Sequence, residues 1–117
     1  MSMQTASEQA PGRAGLTKMT KVEVVVPGAE LASVRALVTA AGATGFTSVA
    51  GVSGLGHSGF HQGGLLFNEQ DQLSLLITVV PDERADALLA GLRALLEASS
   101  GVMFASDTYV SRPEHFR

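Results

Sequence analysis

The sequence contains no cysteine. This excludes disulfides, thiolate metal sites and a cysteine nucleophile, and it fits a reducing cytoplasmic setting. Basic residues are few: eight Lys and Arg against eleven Asp and Glu leave a net charge of −3, so no positive field invites nucleic acid or anionic lipid. No apolar run reaches the roughly 18–20 residues of a membrane span, so no direct membrane insertion is expected. Residues 1–18 lack valine, isoleucine and aromatics. They cannot bury enough surface to offset their ordering entropy, and without an apolar stretch they are no secretory signal. A flexible tail over 1–18 is therefore expected, with the domain over 19–117. What is present is a chain of 117 residues, 45% apolar, enough for one domain with its own core.

Two segments resemble each other, VEVVVPGAELASVRALVTAAGATGFTSV and LLITVVPDERADALLAGLRALLEASSGVMFAS. Each runs through Val-Val-Pro, at 25–27 and 79–81, into a helical pattern and then a second apolar strand. Leu31, Val34, Val38 and Ala41 fall at helical spacing in the first; Ala85, Leu88, Leu89, Leu92, Leu95 and Leu96 do so in the second. Asp82 is positioned as an N-cap, and Gly42 and Gly101 are positioned as helix stops. The spacing predicts strands near 20–26, 45–53, 72–80 and 102–110, and helices near 29–41 and 83–98. This order is βαββαβ, an α+β ferredoxin-like fold with an antiparallel four-stranded sheet and both helices on one face.

The other sheet face should alternate with polar residues if it meets water. With Val22, Val24 and Val26 on the core side, Lys21, Glu23 and Val25 face away. In the third strand Leu73, Leu75, Ile77 and Val79 are expected in the core, leaving Ser74, Leu76, Thr78 and Val80 outside. Val25, Leu76 and Val80 then make the second face partly apolar, and apolar patches mark contacts. An oligomer that buries this face is expected.

Between the halves lies GFTSVAGVSGLGHSGFHQGG, residues 45–64, with seven glycines in twenty. Gly54–Gly59 matches G-x-G-x-x-G, yet no helix opens inside it, so a dinucleotide fingerprint is rejected. A plain connector remains one reading. The other is an anion cradle, because glycines let successive N–H groups turn toward a small oxyanion. His57 and His61 have the i, i+4 spacing of a metal pair, but only a helix would bring them together, and no metal site is expected. The serines lack a nucleophile elbow. Arg35, Arg84 and Arg93 read as solvent-facing helix residues.

The element order, Gly45-Phe46-Thr47 opening the second strand, Gly54-Leu55-Gly56 closing it, the long loop and the Val79-Val80-Pro81 turn together resemble the PII signalling family. The ending Ser111-Arg112-Pro113-Glu114-His115-Phe116 and the loop GLGHSGFHQGG are similar to the PII-like subgroup associated with carboxysome operons. The resemblance implies a trimer of ferredoxin-like subunits with a T-loop near 54–71. It also implies adenine nucleotides in clefts between subunits, and bicarbonate. One side of each cleft would use Gly54, Leu55, Gly56 and His57, with Val24 and Val79 beside the adenine. The neighbour would offer Gly45, Phe46 and Thr47, with Gly101 nearby. Arg112 would meet phosphate. Bicarbonate would take Gly54, Gly56, Ser58, Gly59, Arg112 and His115. The implied partner is a regulated protein such as a bicarbonate transporter or a carboxysome component, and the implied role is regulatory rather than enzymatic.

Departures from the family pattern refine the expectation. Family members carry a T-G-x-x-G-D-G-K type loop after the second helix. Here Ser99–Phe104 has no lysine, and one clear C-terminal arginine remains, Arg112. A polyphosphate needs cations to offset its charge, so AMP or ADP is favoured over ATP. The only tyrosine is Tyr109, outside the loop, which excludes loop tyrosine modification. His57 replaces the usual basic residue after G-x-G. The alternatives are a nitrogen-regulatory PII-type sensor of ATP and 2-oxoglutarate, and a metal-binding trimer of the same architecture. An acyl phosphate hydrolase on this fold would need an arginine at Val26-Pro27-Gly28-Ala29, where none stands.

Overall fold

The computed structural model describes residues 13–52, 55–56, 59–60 and 72–117. The elements run β1 (Thr17–Pro27), α1 (Leu31–Ala40), β2 (Thr47–Val52), β3 (Leu55–Gly56), β4 (Gly59–Phe60), β5 (Leu73–Val80), α2 (Asp82–Leu96) and β6 (Val102–Val110). The main sheet has the order β2-β5-β1-β6 with every pair antiparallel. Val22, Val24 and Val26 of β1, Leu76 and Val80 of β5, Val34 and Val38 of α1, and Ala85, Leu88 and Leu92 of α2 form one buried cluster. The expected ferredoxin-like βαββαβ fold is therefore present, with both helices on one face. At the end of α1, Gly42 takes φ 92°, a left-handed conformation that glycine adopts without strain. Gly51, at φ 77°, sits where β2 slips register against β5, as an edge bulge requires.

Several expectations need correction. β5 faces the other way: Ser74, Leu76, Thr78 and Val80 are buried against the helices, while Leu73, Leu75, Ile77 and Val79 lie on the open side. The register then lines that open side with one apolar row, Val49, Leu75, Val25 and Val102. The next row is Thr47, Ile77, Glu23 and Phe104. The second face is thus more apolar than its expected membership of Val25, Leu76 and Val80. β1 begins at Thr17, so the end of the expected tail is strand; ladder pairing with Tyr109 and Val110 compensates for its poor composition. Residues 1–12 lie outside the described residues. Gly101 does not stop a helix, because α2 ends at Leu96.

Asp82 is the first helical residue of α2 rather than its cap. Its carboxylate accepts hydrogen bonds from Lys18 Nζ at 2.6 Å and Thr20 Oγ1 at 2.7 Å, and Asp107 lies 3.5 Å from the same ammonium. Burial pushes the Asp82 carboxyl up, but the Lys18 and Thr20 hydrogen bonds outweigh it and hold the group below its ordinary range. The hydrogen bond to Asp82 raises Lys18. A lowered carboxyl adds stability above its ordinary value and loses it as pH falls through the lowered one; a raised ammonium adds stability that is lost as pH rises through its own. Side-chain exposures of 35% and 47% mean that solvent screens the pair. Asp82→Asn is expected to cost under about 1 kcal/mol at neutral pH. Denaturant midpoints should show the gap closing in strong acid; a gap independent of pH would contradict the pairing.

Candidate functional site

The sheet has two ends, and the expected site residues divide between them. At one end β1 stops at Pro27, β2 runs out at Val52 and β5 begins at Leu73. Beyond β2, Leu55 pairs with Phe60 and Gly56 with Gly59, so a two-stranded hairpin starts the long loop. This brings Gly56 and Gly59 together as direct partners. Gly101 belongs to this end: a Cβ there would lie 2.6 Å from Val26 Cγ1 and 2.8 Å from the Val25 carbonyl oxygen. Gly54, His57, Ser58 and most of the 54–71 loop lie outside the described residues.

The other end carries Gly45, Phe46, Thr47, Val79 and the C-terminal turn. β6 finishes opposite Thr17. The chain then turns at Pro113–His115, where the Thr44 hydroxyl donates to the His115 carbonyl at 2.8 Å. The C-terminal segment with Arg112 and His115 is therefore tied to the start of β2, the opposite edge strand. Arg112 and His115 are both exposed. Phe46 is 41% exposed, with the Arg35 guanidinium 5.9 Å from its ring centre. That spacing allows a weak cation–π contact.

Two expected groupings change. Within one chain Gly101 does not stand near Gly45–Thr47: the two lie beside opposite edges of the sheet and toward opposite ends. Val24 cannot join Val79 beside an adenine, because Val24 is wholly buried against the helices and Val79 lies on the other face. The strand register decides both points. β1 alone spans roughly 30 Å, so within one chain the turn with Arg112 and His115 is far from Gly101 and the end of β2.

Sequence reasoning missed the residues that hold the α1–β2 loop. Thr78 Oγ1 donates to the Gly45 carbonyl at 2.7 Å. Arg84, expected in solvent, is half-buried and donates from Nη1 to the Gly42 carbonyl at 2.9 Å. Both acceptors are backbone oxygens more than thirty residues away, which no local motif encodes. Among the described residues no group of three or more His, Cys, Asp or Glu could hold a metal ion, and no helix is long and apolar enough to cross a membrane.

The family model for nitrogen regulatory protein P-II matches residues 19–115. The chain belongs to the P-II family. It is a PII-family signalling protein. Among solved structures it is similar to CPII, a nitrogen regulatory PII-like protein from Thiomonas intermedia K12, bound to ADP, AMP and bicarbonate. Identity is 40%, the match covers 87% of this chain and 96% of that one, and the TM-score is 0.80. A second CPII structure, bound to ADP and bicarbonate, matches at 36% identity over 87% and 97% of the two chains, with a TM-score of 0.77. A PII-like signalling protein from Thermus thermophilus, at 20% identity over 87% and 98% with a TM-score of 0.71, shares the fold. No curated protein matches.

Proposed function

We propose that the protein is a homotrimeric PII-like sensor of inorganic carbon. It binds AMP or ADP in clefts between subunits and bicarbonate near the base of the T-loop. It passes the bound state to a cytoplasmic partner such as a bicarbonate transporter or a carboxysome component. The observation that carries this reading is the 40% identity to a PII-like protein bound to ADP, AMP and bicarbonate. The geometry supports the placement between subunits. The T-loop base with Gly101 stands at one end of the sheet; Gly45–Thr47, Val79 and the Arg112 turn stand at the other. One ligand that uses both groups takes each from a different protomer.

In this arrangement Leu55, Gly56, His57 and Gly101 of one subunit face Gly45, Phe46, Thr47 and Arg112 of the next. Bicarbonate is a small planar monoanion suited to convergent backbone N–H donors and one cation. Gly54, Gly56, Ser58 and Gly59 would supply the donors. Arg112 would supply a planar fork, with His115 beside it. Ligands order the loop, and an ordered loop is a standard switch element. The role is regulatory binding rather than catalysis.

Calorimetric titration of AMP, ADP and ATP, each with and without bicarbonate, tests the reading. AMP or ADP should bind, and bicarbonate should strengthen the binding, with the reciprocal effect that linkage demands. ATP binding that depends on 2-oxoglutarate and ignores bicarbonate would favour a nitrogen-regulatory sensor instead. Arg112→Ala should lose the bicarbonate response, and an unchanged response removes Arg112 from the anion site.

A further inference from the structure

Thr78 lies on the helix-facing side of β5 between Leu76 and Val80, both of which have no exposed surface, and is itself 2% exposed. A hydroxyl in such a place costs stability unless it is partnered, and valine would fill the same volume without that cost. The hydroxyl has one specific partner here, the Gly45 carbonyl at 2.7 Å. Thr47, two residues on, pairs with Ile77, the neighbour of Thr78. The ladder thus fixes the chain from Thr47 onward, and Thr78 fixes it just before. Phe46, between the two points, is left exposed. Arg84 on the Gly42 carbonyl and Thr44 on the His115 carbonyl hold the same loop from either side.

We infer that Thr78 is a positioning residue for the ligand edge Gly45-Phe46-Thr47: its buried hydroxyl holds the backbone that presents Phe46 and Thr47. The ligand part of this inference rests on the nucleotide-binding reading above; the positioning part does not. Thr78→Val keeps the shape and removes the donor. Thr78→Ser keeps the donor and removes a methyl group.

Two measurements follow, both well below the melting transition of each variant. Amide hydrogen exchange reads local opening without any ligand. Thr78→Val is expected to speed exchange across Thr47–Val49. Titration with AMP should show about five- to ten-fold weaker binding, the net worth of one hydrogen bond. Thr78→Ser should restore both values. A residue that serves stability alone would lower the melting midpoint while leaving the affinity of the folded protein unchanged. Unchanged exchange, or unchanged AMP affinity in Thr78→Val, overturns the inference. A wild-type protein that ignores AMP yet shows faster exchange in Thr78→Val overturns the nucleotide reading instead, so the two failures are distinguishable.

Discussion

Phe104→Lys is expected to convert the proposed homotrimer into single chains of 12.1 kDa that remain folded. Phe104 is 56% exposed on the open sheet face, so the protomer gains little from its ring. Its cross-strand partner on β1 is Glu23, and a lysine opposite a glutamate is a favourable pair on a sheet surface. The isolated protomer should therefore tolerate the change. Its neighbours across the sheet, Ile77 and Val25, Leu75 and Val102 one row away, form an apolar surface. Covering such a surface by other copies would take the new ammonium and the Glu23 carboxylate out of water together, and their attraction would repay that desolvation only in part. Sedimentation equilibrium reads the mass, and circular dichroism reads the fold. A folded variant that keeps the three-chain mass would place the interface elsewhere on the molecule.

Gly101→Ala is expected to destabilise the protein toward the upper end of the roughly 1–3 kcal/mol typical of overpacking. The added Cβ would meet Val26 Cγ1 at 2.6 Å, the Val25 carbonyl oxygen at 2.8 Å and Leu96 Cδ2 at 3.1 Å. A leucine methyl can move aside. The carbonyl belongs to the central strand and cannot, and Val26 is wholly buried in the core. The loop before β6 must therefore shift. For a domain of this size the midpoint should fall by about 4–8 °C per kcal/mol, with protein concentration held constant because assembly shifts apparent stability. A midpoint equal to wild type would mean that the loop moves freely. In that case close packing would not explain the glycine, and its place near the T-loop base would become the better explanation.

Much of the fold was legible because two kinds of signal agreed. The helical spacing of Val34 and Val38, and of Ala85, Leu88 and Leu92, marks the faces that are buried. The Val-Val-Pro repeats mark where β1 and β5 end. The orientation of β5 was not legible, because both of its faces are apolar. Counting hydrophobicity alone favours Leu73, Leu75, Ile77 and Val79 for the core. The structure instead buries the set containing Ser74 and Thr78, and the Thr78 hydroxyl finds its partner in a distant backbone carbonyl. The richer set lies on the open face, which the proposed trimer would cover. How the candidate site residues group within one chain was not legible. Which residues share an end of the sheet depends on strand order, and that order separates Gly101 from Gly45–Thr47 and Val24 from Val79. Arg84 was not legible for a related reason: its acceptor, the Gly42 carbonyl, comes from another element.

The central place of β1 also bears on how the chain is made. In the four-stranded sheet β1 pairs with β5 and β6, which begin at Leu73 and Val102, while β2 pairs with β5. During synthesis β1 emerges first and must wait, since neither it nor β2 has its sheet partner until β5 has left the ribosome. The valines of β1 stay uncovered over that interval, when unpaired apolar strands are prone to aggregate. Pairings so distant in sequence are also slow to close. A translational pause before residue 73 would lengthen the exposure, and a nascent chain stopped before β6 would release its central strand with one side unpaired.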